Sequence, residues 1–223
     1  MYICIPNVLA DGQLAQLATF FEQEAFVDGQ GTGGVAGAGI KSNLQLSPRS
    51  AHYGAMERMV SDAVVNNRQF SLAAMPLRMR PIRFARYLPG MQYGRHVDNA
   101  VMGKDTPLRT DLAFTLFLSP PDSYEGGELV VEEPGAKRLF KLPAGALVVY
   151  PGNTLHQVAE VTAGSRDVAV GWLQSMIRNP DRRRIIFELE ELRANMLAQS
   201  GRTAEFDVIS RNVGDLWRMW VEL

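Results

Sequence analysis

Leu14, Leu17, Ala18 and Phe21 recur at i, i+3, i+4 and i+7. That is the spacing of one apolar helix stripe, with Asp11 placed to cap it. Met56, Met59, Val60, Ala63 and Val64 repeat the helical period. Between the two stripes, Gly29 to Gly39 breaks any regular pattern. Residues 1–76 are therefore expected to be helices and a glycine-rich loop whose apolar faces pack on the remainder of the chain. From about Met79 short Val, Ile, Phe, Leu and Tyr runs are punctuated by Leu88-Pro-Gly, Gly126-Gly and Pro151-Gly-Asn. In Asp111–Ser119 the apolar Leu112, Phe114, Leu116 and Leu118 alternate with positions that include Asp111, Thr115 and Ser119. This is the period of a strand with two unlike faces. Several such strands with no helical stretch between them predict an antiparallel sandwich or barrel over residues 77–178, not βαβ units.

After Asn179 the helical period returns, and residues 179–223 are expected to form a helical extension. Asn179-Pro180 has the form of an N-cap followed by a first-turn proline. Ile185, Leu189, Leu192 and Met196 then make a stripe. A last helix is expected near Thr203, with Phe206, Ile209, Val213, Leu216, Trp217 and Trp220 on one side. Those tryptophans need cover. Packing onto the barrel is the expectation, and a homo-oligomer through these helices is the alternative.

Composition narrows the chemistry. The chain has 223 residues and a net charge of −1, which suits one domain with an appendage and argues against a nucleic-acid binder. No apolar run approaches the roughly 20 residues that span a bilayer. The opening Met1-Tyr-Ile-Cys-Ile-Pro has neither half of a signal peptide, so a soluble cytoplasmic protein is expected. A lone Cys4 excludes an internal disulfide framework and cysteine-built metal sites. Any imidazole-bound metal must draw on His52, His96 and His156.

Gly29-Gln-Gly-Thr-Gly-Gly34 matches G-x-G-x-x-G literally, but a helical pattern precedes it and more glycines come after it. A surface loop, with a lid over a site as a variant, is the better reading than a dinucleotide turn. Arg78, Arg80, Arg83 and Arg86 form a locally basic segment. They are expected to be solvated or paired, the alternative being that one of them, Arg83 if directed inward, meets an anionic substrate group. Arg182, Arg183 and Arg184, with Glu188, Glu190 and Glu191 after them, suit near-neighbour pairs on a wet helix surface.

The informative stretch is Tyr87-Leu-Pro-Gly-Met-Gln-Tyr93-Gly-Arg-His96-Val-Asp98. Residues two apart on a strand point to the same face, so His96 and Asp98 can share one cation. His156 comes after the turn Pro151-Gly-Asn and opens a new strand-like run. Two imidazoles and one carboxylate make a facial triad that leaves coordination positions open, which suits non-haem Fe(II) better than closed structural zinc. Arg166 lies ten residues on, across Thr162-Ala-Gly-Ser165, and shares a strand face with Val168, Val170 and Trp172. A guanidinium in that apolar company needs a partner. It is either a protein carboxylate or a bidentate carboxylate ligand.

His96-x-Asp98, His156 and Arg166 in an all-β segment resemble the iron(II)- and 2-oxoglutarate-dependent dioxygenases. Arg86-Tyr-Leu-Pro-Gly, Tyr93-Gly-x-His-x-Asp-Asn99, Tyr124-x-Gly-Gly-Glu-Leu, Leu142-x-Ala-Gly, Tyr150-Pro, Leu155-His and Trp172-x-Gln-Ser resemble their PKHD-type (prolyl/lysyl hydroxylase domain) group, which is linked to bacterial iron uptake. The likeness covers nearly the whole chain. It implies an α+β fold with a double-stranded β-helix, jelly-roll or cupin-like, as its core. It also implies Fe(II) held by His96, Asp98 and His156, and 2-oxoglutarate whose distal carboxylate meets Arg166. L-ascorbate is the implied reductant. The implied reaction hydroxylates a small-molecule or peptide substrate with O₂ and releases succinate and CO₂. Tyr87 and Tyr93 are candidates for hydroxyls touching 2-oxoglutarate or substrate, against ordinary aromatic packing, and His52 matches no ligand position. A non-catalytic iron or 2-oxoglutarate sensor on the same barrel is the rival, and a zinc hydrolase a weaker one.

Overall fold

The computed structural model describes residues 2–33 and 39–223. In chain order the elements are β1 (Ile3–Ile5), α1 (Asp11–Gln23), β2 (Phe26–Asp28), β3 (Lys41–Ser42), β4 (Leu44–Leu46), α2 (Tyr53–Asn66) and α3 (Arg68–Ala74). Next come β5 (Pro76–Met79), β6 (Arg83–Tyr87), β7 (Gln92–His96), β8 (Val101–Met102), β9 (Leu108–Arg109), β10 (Leu112–Phe117), β11 (Tyr124–Gly126) and β12 (Leu129–Glu133). The last are β13 (Ala136–Phe140), β14 (Leu147–Pro151), β15 (His156–Val158), β16 (Val161–Gly164), β17 (Arg166–Ser175), α4 (Pro180–Ser200) and α5 (Ala204–Trp220).

The strands form a large sheet of order β1-β14-β10-β17-β6-β4-β2, with β5 also on β17, and a small one of order β13-β12-β15-β7-β3. All pairs among the described residues are antiparallel. The two sheets bury side chains against each other: Ala85, Ala113, Phe117, Val148 and Val168 of the large sheet share a cluster with Leu129, Val131 and Val158 of the small one. The outer face of the large sheet is covered by helices. Leu17 and Phe21 of α1, Met56, Val60 and Val64 of α2 and Phe70 of α3 pack with Phe84, Leu112, Phe114, Leu116 and Ala169.

This arrangement explains the alternation on β10. Every residue of Leu112–Phe117 is buried. The even positions meet the helices and the odd positions face the space between the sheets. The unlike faces are therefore two kinds of interior, one closed and one hollow. Gly171 opposite Phe114 belongs to the same design, because a Cβ there would lie 2.4 Å from the Phe114 ring. That space is needed for the edge-on packing of Phe114 against Phe70, with centroids 5.6 Å apart.

Several expectations need correction. The N-cap of α1 is Ala10, whose N–H donates to Gln13 Oε1, and Asp11 occupies the first turn, where its charge suits the helix dipole. The first 76 residues also supply short strands β1 to β4 to both sheets. Strands of two or three residues are too short to show a period. On α4 the buried face is Arg183, Ile186 and Glu190, and Leu192 of the expected stripe is exposed. Arg183 can take an apolar position because its guanidinium donates to the Ile177 and Arg178 carbonyls, at 2.6 and 2.8 Å. Glu190 accepts from Arg193 and from the Trp217 indole.

Asn179 caps α4, accepting from the Asp181 and Arg182 N–H groups, and Thr203 caps α5. The tryptophans on α5 pack with Ile186 of α4 and with Met75 and Ile177, which flank the ends of β5 and β17. Residues 34–38 of the glycine-rich stretch, on which the lid reading falls, lie outside the described residues. The G-x-G-x-x-G string comes after an antiparallel edge strand, β2, and opens onto a single 3₁₀ turn at Gln30–Thr32. That is not a βαβ crossover, so the dinucleotide reading fails.

Candidate active site

His96 closes β7 and His156 opens β15, and the two are direct cross-strand partners. Their ring centroids are 4.2 Å apart. Each Nδ1 lies against the backbone carbonyl two residues earlier, Gly94 O at 2.8 Å and Thr154 O at 2.9 Å. A carbonyl only accepts, so each ring carries its proton on Nδ1 and presents a bare Nε2 lone pair. Asp98 lies just past the end of β7, with Oδ1 3.9 Å from His96 Nε2. One ligand atom from each of His96, Asp98 and His156 falls within 4.8 Å of the others. Cis ligands on a first-row divalent ion sit about 3 Å apart, so the three are spread slightly wider than a bound set.

The electrostatics suit a cation. Burial, helped by His156, pushes His96 down to about 4, so the ring stays neutral and ready to ligate. Burial raises Asp98, and His156, the Trp172 indole, Lys41 and Arg83 act against that rise. Asp98 Oδ2 is buried with no hydrogen-bond partner. An ion in this place would supply what the buried carboxylate lacks.

Arg166 reaches the same cavity from the opposite wall. β15 belongs to the small sheet and β17 to the large one, and Val161–Gly164 between them is the strand β16, paired with β11. Arg166 is 1% exposed, with its guanidinium 5.1 Å from the Tyr87 ring centroid and 5.6 Å from that of Phe117. Its Nε and Nη1 have no acceptor, so the paired-arginine alternative finds no carboxylate among the described residues. The neighbouring Asp167 points away and takes a two-pronged bond from Arg86, both contacts 2.8 Å. Gly127 lets Arg166 lie flat: its φ is +67° and a Cβ there would lie 2.9 Å from Arg166 Cδ.

The cavity between the sheets, about 620 Å³, is lined by His96, Asp98, His156 and Arg166 together. Tyr87 and Tyr93 line it as well. Tyr87 is fully buried under Arg166, and Tyr93 stacks on His96 with centroids 3.6 Å apart. Residues three apart on a regular strand face opposite ways. Here the β7–β15 register shifts between the His96 and Tyr93 rungs, and the bulge turns both inward. Burial and then Asp98 push the Tyr93 phenol up to about 12, so it remains a neutral donor.

His52 is elsewhere, bonded to Glu24 and stacked on Phe20. Arg78 bonds Gln174 and Arg86 bonds Asp167, as a paired-arginine reading expects, whereas Arg80 and Arg83 line the cavity. Lys41 and Asn43, which no spacing singled out, line it too.

Comparison with known proteins agrees with this geometry. Residues 82–174 match the 2OG-Fe(II) oxygenase superfamily. A PKHD-type hydroxylase of Picosynechococcus sp. (strain PCC 7002) is 44% identical over 222 residues, covering 100% of both chains. A prolyl hydroxylase from Trichoplax adhaerens, solved with a hypoxia-inducible-factor peptide, shares 18% identity and a TM-score of 0.55 over 83% of this chain and 86% of its own. A Pseudomonas putida prolyl-4-hydroxylase shares 20% and 0.53 over 78% and 92%. These two show a common fold. No helix among the described residues is long and apolar enough to cross a membrane. Full-length identity of this order makes the chain a member of the 2OG-Fe(II) oxygenase superfamily, a dioxygenase similar throughout to the PKHD-type hydroxylases.

Proposed function

We propose that the chain is a hydroxylase on a double-stranded β-helix. In this reading His96, Asp98 and His156 hold Fe(II) and Arg166 receives the distal carboxylate of 2-oxoglutarate. The observation that carries the reading is the pair of unpartnered Arg166 donors, buried in the cavity that the His-Asp-His cluster also lines. A fork of donors in an apolar wall matches a carboxylate in both shape and charge. The two-histidine, one-carboxylate donor set suits a ferrous ion with open positions.

Bound together, the ion and 2-oxoglutarate would activate O₂ for C–H hydroxylation, one oxygen atom ending in the hydroxylated substrate and the other in succinate, with CO₂ released. The chain's own work is placement. The Gly94 and Thr154 carbonyls hold both imidazoles in the ligating tautomer. Tyr87 and Phe117 flank Arg166 and keep water from its guanidinium, which strengthens its bond to a carboxylate. The neutral Tyr93 hydroxyl, fixed by its ring stack on His96, is placed to donate to 2-oxoglutarate or substrate. The resemblance to the PKHD-type group extends the reading to L-ascorbate as reductant and to a role in iron uptake.

The test is product formation. Purified protein given Fe(II), ascorbate and O₂ is expected to convert 2-oxoglutarate to succinate, and the conversion should depend on His96. No succinate above a His96→Ala control contradicts the proposal.

A further inference from the structure

The cavity holds more positive charge than its metal centre uses. Among the described residues Asp98 is the one acidic residue lining it, against Lys41, Arg80, Arg83 and Arg166. A divalent ion, Asp98, Arg166 and a dianionic 2-oxo acid neutralise one another. Lys41, Arg83 and Arg80 remain.

Lys41 is 6% exposed. Its ammonium donates to Thr32 Oγ1 at 2.7 Å, its one acceptor among the described residues, and lies 5.0 Å from the Tyr93 ring centroid. Tyr93 stacks on His96, so the ammonium is one ring removed from the metal ligands. Arg83 shares its strand face with Ala85 and Tyr87 and so points inward. Its guanidinium lies 5.3 Å from the Trp172 ring centroid and makes one long bond, 3.5 Å, to the Thr32 carbonyl. Neither Lys41 nor Arg83 has a carboxylate within ion-pair distance among the described residues. Residues 34–38, outside the described set, are Gly, Val, Ala, Gly and Ala, none of them ionisable. Both cations are disfavoured where they stand: burial, and then Arg83, lowers Lys41, and burial lowers Arg83. Lys41 is buried and Arg83 half-buried, and like charges so placed with no carboxylate in contact persist where a ligand brings the missing charge.

We propose that the substrate to be hydroxylated carries an oxyanion, a carboxylate or phosphate, held between Lys41 and Arg83, at the opposite end of β6 from Tyr87, the residue that pairs with Arg166. The proposal rests on the reading of His96, Asp98 and His156 as the iron ligands and of Arg166 as the 2-oxoglutarate anchor. Anchoring the anion at this point turns a neighbouring C–H bond of the substrate toward the metal centre, while Arg166 keeps the 2-oxo acid at the other end. The two sites then select two different acids without exchanging them.

The test uses the full chain loaded with Mn(II) and 2-oxoglutarate, which cannot turn over. Thermal shift and calorimetry are run against N-acetylated amino acids as free acids, the same compounds as primary amides, and phosphate monoesters of matched size. Acids or phosphate esters are expected to bind and amides not, the better of the two anions naming the group. Arg83→Gln and Lys41→Met are expected to lose at least tenfold in that affinity and Arg83→Lys to retain most of it, while affinity for 2-oxoglutarate is unchanged. Acids and amides binding alike, no anion binding, or neutral variants within twofold of wild type would each overturn the proposal. Loss of the 2-oxoglutarate affinity in the neutral variants would also overturn it, by assigning the cations to the 2-oxo acid. If Mn(II) and 2-oxoglutarate fail to bind the wild type, it is the metal-centre reading that falls, and the anion site with it.

Discussion

His96 and His156 face each other across one rung of the small sheet, with both Nδ1 atoms turned to backbone carbonyls and both Nε2 atoms left free. The tautomer is therefore set before any ligand arrives. Nitrogen NMR of the ligand-free protein near pH 7 is expected to show the His96 ring neutral and protonated at Nδ1, and the His156 ring with a proton on Nδ1. An Nε2–H signal for His96, or a bare Nδ1 on either ring, would contradict this. His156→Ala is expected to abolish the Mn(II)-dependent rise in melting temperature while the metal-free protein still unfolds cooperatively.

Gly127 is a second-site control on Arg166. Gly127→Ala places a methyl against Arg166 Cδ and forces an alanine to adopt a φ of +67°. The expected result is a stability loss of about 1 kcal/mol and, because the guanidinium fork is displaced, 2-oxoglutarate binding weakened by about tenfold with Mn(II) affinity unchanged. Calorimetry with each ligand separates the two effects. Equal losses for both ligands would argue against a specific effect on Arg166.

The Arg86–Asp167 pair locks the rung beside Arg166 and is largely shielded, with side chains 23% and 17% exposed. Asp167 also donates its N–H to Ser119 Oγ at 2.8 Å. Asp167→Asn keeps the shape and removes the charge, leaving Arg86 short of its counter-ion. A loss of about 2 kcal/mol in urea unfolding is expected. A change under about 0.5 kcal/mol would show that Arg86 finds sufficient solvent.

Lys41 makes a signed prediction. The unfolded chain holds this proton up to the ordinary value of 10.5, the folded one only to about 8. Between those values the unfolded state binds more protons, so stability rises with pH through that window. At pH 7 the charged side chain costs the ligand-free fold up to about 3 kcal/mol. Lys41→Met is expected to be more stable than wild type at pH 7, with the gap closing toward pH 10. A gap of constant size across that range would contradict it.

Much of this site could be read from the chain because its chemistry is concentrated at strand ends. His96-x-Asp98, His156 and Arg166 stand at fixed distances from Pro and Gly turns, and the structure brings all four to one cavity. What the sequence hid has physical causes. Lys41 sits on a two-residue strand that no period marks. Tyr93 turns inward because of a bulge, which breaks the alternation rule. The stripe expected on α4 misses the buried face because Arg183 and Glu190 occupy buried positions, the first satisfied by carbonyls just ahead of the helix and the second by an indole on α5 that is distant in sequence. The odd positions of β10 resemble an outer face because a hollow interior tolerates Thr115 as solvent would.

The most direct test of the account is an anaerobic titration of Fe(II) and 2-oxoglutarate into the purified protein, monitored in the visible spectrum. Wild type is expected to develop a metal-to-ligand charge-transfer band, His156→Ala to show none, and Arg166→Gln to need at least tenfold more 2-oxoglutarate for the same band. A wild-type protein without the band, or one whose band is indifferent to His156 and Arg166, would contradict it.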